Sequence, residues 1–136
     1  MYRTLLAAAS LLFAAAAASA ASVTGVTGAD CNGYAFAASA VQAASNAAIA
    51  HIADGTTASD YPHQYNNYEG FTFNAGCNPP YYEFPVFKSQ VYTGGSPGAD
   101  RVVVGSVAAA AGTGVFCDVI THHGASGNAF LLCDNV

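Results

Sequence analysis

Residues 39–55, SAVQAASNAAIAHIADG, decide the fold because they are the one segment beyond the N-terminal twenty residues with a helical repeat. Small to medium side chains recur at steps of four, three and four residues: Val41, Ser45, Ala48 and Ile52. The spacing of Ser39 and Gln42 is typical of a capping box and predicts that the helix starts at Ser39. Gly55 is a typical stop. We therefore expect one helix of about four turns, packed on a flat surface.

The sequence after Gly55 is typical of strands and turns. Clusters of Gly, Pro, Asn and Ser separate β-branched and aromatic runs at Phe71 to Phe73, Tyr81 to Phe87, Arg101 to Val107, Val115 to His122 and Ala129 to Cys133. The stretch from Ala108 to Gly114 is interpreted as a hairpin tip. The pattern predicts an α+β fold, with one α-helix packed on a twisted antiparallel β-sheet whose concave face carries the active site.

The N-terminus is typical of a secretory signal peptide. Arg3 precedes an apolar run from Leu5 to Ala18, and Ala18-Ser19-Ala20 has the small-x-small form of a cleavage site. We expect a signal peptide at 1–20, a single domain at 21–136 and a secreted, extracellular protein. A membrane anchor is the alternative, but the run barely reaches spanning length and a polar stretch follows it.

The charge balance limits the class of partner. Lys88 and Arg101 are the only Lys or Arg after residue 20, against eight carboxylates in the chain. Proteins that hold long duplexes neutralise many phosphates with such cations. The composition therefore argues against architectural nucleic-acid binding and permits an enzyme that holds one or two nucleotides.

Four cysteines in an exported chain predict two disulfides: Cys31, Cys77, Cys117 and Cys133. Spacing alone leaves all three pairings open. The long spacings disfavour zinc, which prefers two close pairs such as Cys-x-x-Cys.

Polar side chains alternate with apolar or small ones in the predicted strands. Tyr61 and His63 share a parity, and Glu83, Arg101 and His122 each alternate with such neighbours. Adjacent strands could place all five on one concave surface. A carboxylate, a histidine and an arginine suffice for scission of RNA by its own 2′-hydroxyl. Any half-solvated sheet shows the same alternation, so spacing alone leaves both interpretations open.

Several long motifs, taken in their order along the chain, resemble those of a known protein family: 61-YPHQYNNYEGF-71, 80-PYYEFP-85, 94-GGSPGADRVV-103, and 119-VITH-122 followed by 124-GASGN-128. From about Cys31 to Cys133 the chain resembles the fungal guanyl-specific ribonuclease family, the ribonuclease T-one type. The resemblance implies an endoribonuclease that cuts single-stranded RNA 3′ to guanosine. The product would be a 2′,3′-cyclic phosphate, which water then opens to a 3′-phosphate.

The resemblance also implies the catalytic residues: Glu83, His122, His63, Arg101, Tyr61 and Phe130. Glu83 would be the general base and His122 the general acid. His63, protonated, would hold the 2′-oxygen and the phosphate, while Tyr61 and Arg101 donate to the phosphate oxygens. Phe130 would form the apolar wall beneath the phosphate. No cofactor or metal is implied, and DNA, which lacks the attacking hydroxyl, should be inert.

Guanine recognition, by the same resemblance, falls on one segment and one distant residue: Tyr65, Asn66, Asn67, Tyr68, Glu69 and Asn128. Glu69 can accept hydrogen bonds from N1–H and the exocyclic amino group of guanine, donors that adenine does not offer together. An unpaired buried carboxylate would penalise the wrong base. Tyr65 and Tyr68 would sandwich the base.

The chain departs from the family pattern in its cysteines. The small N-terminal loop bridge of the guanyl-specific members has no counterpart, and Cys77 with Cys117 resembles an extra bridge of the purine-preferring branch. The resemblance therefore implies the pairs Cys31–Cys133 and Cys77–Cys117, and a purine-preferring ribonuclease is an alternative. His123 follows His122, but neighbours on a strand diverge and cannot chelate one metal ion.

Two further alternatives remain. A ribotoxin would need basic loops for docking on a ribosome, and this chain has too few cations for that role. A non-catalytic ribonuclease-like effector would be expected to lack Glu83 or His122, and both are present. Nothing in the sequence suggests more than a monomer, and no membrane partner is expected.

Overall fold

Helix α1, Ala38–Asp54, lies on one face of a β-sheet in a computed structural model that describes residues 20–136. In chain order the strands are β1 Ser22–Thr24, β2 Ala29–Cys31, β3 Tyr34–Phe36, β4 His63–Tyr65, β5 Tyr81–Pro85, β6 Asp100–Ala108, β7 Thr113–Thr121, β8 Leu131–Leu132 and β9 Asp134–Asn135. A 3-10 turn, Ala109–Ala111, joins β6 to β7 where the hairpin tip was expected. The signal peptide predicted at 1–20 lies, except for Ala20, outside the described residues.

The main sheet has the strand order β1-β7-β6-β5-β4, and β8 also pairs with β7. All its pairs are antiparallel except β1 with β7, which run parallel. A smaller antiparallel sheet has the order β3-β2-β9. The α+β fold with one helix packed on the sheet is therefore confirmed, and the one exception to antiparallel pairing is the β1 edge. Strand β1 has three residues, too few for a period-2 pattern to signal it.

The two faces of the main sheet have different neighbours. The face toward α1 is apolar, and Val41 and Ile49 of the helix share one buried cluster with Phe84, Val102, Val104 and Val119 of the strands. Glu83 pairs with Val103 and Pro85 with Arg101 across β5 and β6. Because side chains alternate along a strand, Glu83 and Arg101 lie on the face away from the helix.

The start of α1 differs from the prediction. The N-cap is Ala37, which makes no side-chain cap hydrogen bond, so the capping box predicted at Ser39 is wrong. Gln42 instead donates from Nε2 to the carbonyl oxygen of Val23 at 3.0 Å and so ties the helix to β1. The stop is as predicted, since Gly55 follows the helix in the left-handed region at φ 68°.

The predicted strand at Phe71 to Phe73 is also wrong. This segment is irregular, and its backbone bonds to the Asn67 side chain, which donates to Phe71 O and accepts from Phe71 N, both at 2.9 Å. The aromatic rings instead pack on a second cluster that includes Tyr65, Cys77 and Cys117. Their apolar character therefore reflects burial beneath a loop and not strand pairing.

Two disulfides hold the ends of the domain and this loop. Cys31 is bonded to Cys133 across 102 residues of sequence, and Cys77 to Cys117, which is the pairing that the resemblance implies. The first joins the small sheet to the C-terminal strands. The second fixes residues 66–80 against β7.

Candidate active site

Strands β4 and β5 bring His63 and Glu83 together. The two residues are directly opposite in the antiparallel register, and His63 Nε2 contacts Glu83 Oε1. His63 Nδ1 lies 3.2 Å from the carbonyl oxygen of Asp60. Both ring nitrogens thus face oxygen acceptors, an arrangement that a doubly protonated imidazole satisfies. The Glu83 side chain is 7% exposed and that of His63 is 46% exposed, so substrate can reach the pair from the His63 side.

Arg101 lies buried beside this pair. Its Nη1 donates to the carbonyl oxygens of Pro97, Gly98 and Asp100 at 2.9–3.2 Å, and its Nη2 donates to the Tyr61 hydroxyl at 3.2 Å. The three carbonyls fix the guanidinium plane.

The rings of Tyr61 and His63 are 4.5 Å apart between centroids. Arg101, Tyr61, His63 and Glu83 therefore form one continuous group of contacts.

Two buried polar atoms of this group have no protein partner among residues 20–136. They are Glu83 Oε2 and Arg101 Nε. A buried polar atom without a partner is destabilising, and such atoms are concentrated at functional sites. One acceptor and one donor are thus available to a substrate on the sheet face opposite the helix.

His122 follows the end of β7 and extends the same sheet. Its backbone N–H donates to Ala99 O at 2.9 Å, two residues beyond the pairing of Arg101 with Ile120. Its ring stacks on Phe130 with 3.9 Å between centroids, and Nδ1 lies 2.8 Å from Ala129 O. Because a carbonyl accepts, Nδ1 carries a hydrogen, and Nε2 is the nitrogen left to exchange a proton with a substrate.

Phe130 connects His122 to the predicted base pocket. Its ring meets that of Tyr65 edge to face at 5.9 Å, and its backbone N–H donates to Glu69 Oε1 at 3.1 Å. The other Glu69 oxygen, Oε2, accepts from the Tyr65 hydroxyl at 2.7 Å. Both carboxylate oxygens therefore have a protein donor.

These contacts control two pKa values. Burial raises the pKa of Glu69, but hydrogen bonds from Tyr65 and Phe130, together with the nearby His122, outweigh it and leave the pKa below its usual range. Burial and the adjacent Glu69 raise the pKa of Tyr65 well above its usual range. Glu69 is therefore an acceptor and Tyr65 a donor across the neutral pH range.

The rest of the predicted base pocket is exposed. Tyr68 is 90% exposed, and its hydroxyl accepts from Asn66 Nδ2 at 3.3 Å. Asn67 has φ 54°, a left-handed conformation that Asn tolerates, and its side chain closes the loop onto Phe71. Asn128 lies exposed in the turn before Phe130, where Ala129 N donates to Ser126 O. The two tyrosine rings of the predicted base pocket therefore differ in exposure: the Tyr65 ring is buried, whereas the Tyr68 ring extends into solvent.

Sequence patterns did not reveal two parts of this site. The carbonyls that hold Arg101 belong to the turn Pro97 to Asp100, and backbone acceptors leave no side-chain signal. The bond between Tyr65 and Glu69 links residues four apart, but only the fold of the loop brings them face to face.

No group of three or more His, Cys, Asp and Glu side chains within residues 20–136 is arranged to hold a metal ion. In the same part of the chain, no helix has the length and apolar character needed to span a membrane.

Most of this chain is similar to known proteins. Residues 24–134 match the family model described as ribonuclease. The guanyl-specific ribonuclease Th1 of Trichoderma harzianum is 55% identical over 108 residues, which cover 77% of this chain and 95% of that protein. The extracellular guanyl-specific ribonuclease Fl1 of Gibberella baccata is 49% identical over 107 residues, which cover 77% of this chain and 94% of that protein.

A solved structure is similar as well. The ribonuclease from Hericium erinaceus (RNase He1) aligns with a TM-score of 0.53 and 37% identity, covering 79% of this chain and 98% of that one.

Proposed function

This chain belongs to the ribonuclease family, and on that basis we propose that it is a secreted endoribonuclease that cuts single-stranded RNA on the 3′ side of guanosine. The two relatives whose own length this chain covers to 94–95% are named guanyl-specific ribonucleases, and one of them is named extracellular. The observation that carries the proposal is the contact group of Glu83, His63, Tyr61 and Arg101 beside His122 and the Glu69 pocket.

Cleavage begins at the 2′-hydroxyl of the guanosine. Glu83 accepts the hydroxyl proton, and the resulting 2′-oxygen attacks the adjacent phosphorus. His63, with Nε2 toward Glu83, holds the 2′-oxygen and a phosphate oxygen. The bond to the 5′-oxygen of the next nucleoside then breaks, and His122 Nε2 donates a proton to that oxygen. The products are a 2′,3′-cyclic phosphate and a free 5′-hydroxyl.

The negative charge that develops on the non-bridging phosphate oxygens is stabilised by fixed donors. Arg101 is 3% exposed and held by three carbonyls, so its guanidinium needs little reorganisation during the reaction. Tyr61 donates from its hydroxyl, and Phe130 excludes water beneath the phosphate. In the second step water opens the cyclic phosphate, with His122 as base and Glu83 as acid.

Guanine is recognised at the Glu69 carboxylate, which Tyr65 and Phe130 hold in place. The N1–H and exocyclic amino group of the base donate to the remaining lone pairs of its two oxygens. Tyr68 closes on the exposed face of the base, and the backbone at Asn66, Asn67 and Asn128 completes the contacts. Adenine cannot offer the same pair of donors, and a carboxylate left without them disfavours that base.

The direct test uses an oligoribonucleotide with one guanosine, digested in the presence of EDTA and examined by mass spectrometry. We expect one cut, immediately 3′ to the guanosine, with a cyclic phosphate that later becomes a 3′-phosphate. The same oligonucleotide with 2′-deoxyguanosine at that position should stay intact, because the nucleophile is missing. A cut elsewhere, or dependence on a divalent metal, would contradict the proposal. Comparable cutting after adenosine would favour the purine-preferring alternative.

A further inference from the structure

The last strand of the chain, β9 at Asp134–Asn135, is bonded to the loop that follows the predicted guanine pocket. Asn135 Nδ2 donates to Asn74 Oδ1 at 3.1 Å, and Asn74 Nδ2 donates in return to Asn135 Oδ1 at 3.5 Å. The two side-chain amides therefore bind each other reciprocally, although 61 residues separate them in sequence. Neither residue belongs to the catalytic group or to the predicted guanine pocket.

The Asn135 end of this pair has a fixed position. The backbone of Asn135 pairs with Ala29 of β2, and Thr27 Oγ1 lies 3.0 Å from Asn135 Oδ1. The disulfide between Cys31 and Cys133 joins the same two segments just beyond this pairing. The C-terminal strand is thus held by β2, and its Asn135 amide is a fixed point against which the loop can rest.

The Asn74 end lies where the loop reaches β7. The backbone N–H of Asn74 donates to Cys117 O at 3.2 Å, and its carbonyl oxygen accepts from Cys77 N at 3.3 Å. These bonds attach the backbone of Asn74 to β7 and to the turn that follows. The Asn135 amide adds an attachment of the side chain, and it comes from a different element of the fold.

Phe73 connects Asn74 to the guanine pocket. The Phe73 ring meets the Tyr65 ring edge to face, with 6.2 Å between centroids, and meets the Tyr81 ring at 4.8 Å. Tyr65 in turn donates its hydroxyl hydrogen to Glu69 Oε2 at 2.7 Å. A shift of Asn74 would displace the adjacent Phe73 ring, and closely packed side chains transmit such a shift to their neighbours.

Resting on the proposed function, we infer that Asn135 is a positioning residue for guanine recognition. Through its bonds to Asn74 it keeps the Phe73 ring against Tyr65. The Tyr65 hydroxyl then holds the Glu69 carboxylate in the orientation that accepts the base. Because Asn135 lies outside the catalytic group, its effect falls on the binding of guanine and not on the chemical step.

The test separates binding from catalysis in Asn135→Ala. The Asn135 side chain is exposed and β9 keeps its backbone pairing, so the substitution carries little risk for folding. We expect KM for GpC and the Kd of guanosine 3′-phosphate to rise about 3- to 10-fold, the effect of losing one net hydrogen bond. The value of kcat for GpC should stay within about twofold of wild type, the pattern of lost binding. The ratio of kcat/KM for GpC to that for ApC should fall, because adenine does not use the Glu69 pair of bonds.

Val136→Ala is the matched control from the same segment. Val136 is 71% exposed, and the hydrogen bond from its backbone N–H to Gly28 O, at 3.1 Å, survives the substitution. We expect KM, Kd and the base ratio of this variant to equal those of wild type. A lower melting temperature of Asn135→Ala, with Kd and base ratio unchanged, would make Asn135 purely structural and overturn the inference.

Asn74→Ala tests the route from the strand to the pocket. If Asn135 acts through Asn74, the double variant should bind guanosine 3′-phosphate no more weakly than Asn74→Ala alone, since the shared contact is lost only once. Losses of affinity that multiply in the double variant would show that the two residues act independently, and would overturn the route.

Wild type separates this inference from the proposed function. If wild type binds guanosine 3′-phosphate and prefers GpC, but Asn135→Ala behaves identically, the positioning role alone is overturned. If wild type neither binds guanosine 3′-phosphate nor cleaves GpC, the proposed function itself is contradicted.

Discussion

Tyr65 donates its phenolic hydrogen to Glu69, with 2.7 Å between Oη and Oε2, and the backbone N–H of Phe130 binds the other carboxylate oxygen at 3.1 Å. The acceptor proposed to select guanine is therefore already hydrogen-bonded by the protein itself. An ionised carboxylate has about four lone-pair sites, so Glu69 can accept further hydrogen bonds while Tyr65 and Phe130 hold its orientation.

Replacing Glu69 should remove base selection while the catalytic groups stay in place. We expect Glu69→Ala to lower kcat/KM for GpC by roughly 100-fold, since hydrogen bonds to charged groups contribute about 1.5–3 kcal/mol each. The ratio of kcat/KM for GpC to that for ApC should fall toward one. Steady-state rates on the two dinucleotides measure this. An unchanged ratio would mean that guanine binds elsewhere.

Removing the Tyr65 hydroxyl should change the titration of Glu69. The Tyr65 hydrogen bond is one of the contacts that hold the pKa of Glu69 low against burial, so Tyr65→Phe should raise that pKa toward its ordinary value. Carbon-detected NMR titration of the Glu69 carboxyl measures the change. Tyr68→Phe is the matched control, because the Tyr68 hydroxyl bonds to Asn66 and not to Glu69. Equal pKa values in wild type and Tyr65→Phe would contradict the assigned contact.

His122 should be far more sensitive to substitution than its neighbour. His122→Ala should slow hydrolysis of guanosine 2′,3′-cyclic phosphate by about 10²- to 10⁴-fold, the usual range for one proton-transfer group. His123→Ala should leave this rate unchanged, because the His123 ring contacts Tyr34 and not the catalytic group. Comparable losses of rate in the two variants would contradict the assignment of proton transfer to His122.

Asp118 should make stability depend on pH. It is buried, and burial raises its pKa to about 6, partly offset by the hydrogen bond from Val119 N. The folded state then holds a proton that the unfolded state releases near pH 4. The stabilisation from this group is therefore complete below about pH 4 and is lost as pH rises through about 6, with an upper limit of about 3 kcal/mol.

Asp118→Asn should abolish that loss. The amide keeps an oxygen acceptor for Val119 N but does not titrate, so its free energy of unfolding should fall less than that of wild type between pH 4 and 7. Urea unfolding at several pH values measures this, with the exposed Asp54→Asn as control. Parallel curves for wild type and Asp118→Asn would contradict the assignment.

Much of the fold could be predicted because long segments carry their own compositional signal. The runs that became β5, β6 and β7 are rich in β-branched and aromatic residues, and Gly55 ends the helix as its lack of a side chain permits. The strands β1, β2 and β3 have three residues each and could not be predicted, because so short a segment has no period. At the helix start, local chemistry suggested Ser39, whereas the contact of Gln42 with Val23 depends on a strand distant in sequence.

For the candidate site, the motifs identified residues but not all of the contacts between them. The motif resemblance selected residues that the structure places in one contact group, including the opposed pair His63 and Glu83. It could not select the carbonyl cradle of Arg101 or the bond from Tyr65 to Glu69, since both depend on backbone path and side-chain rotamer.

The most direct test of the acid and base roles replaces the 5′-oxygen of the leaving nucleoside in GpC with sulfur. A thiol is a far stronger acid than an alcohol, so its anion departs without a proton. We expect His122→Ala, impaired about 10²- to 10⁴-fold on ordinary GpC, to cut the sulfur substrate within about tenfold of wild type, while Glu83→Gln remains impaired. An undiminished defect of His122→Ala on the sulfur substrate would contradict its role as the acid.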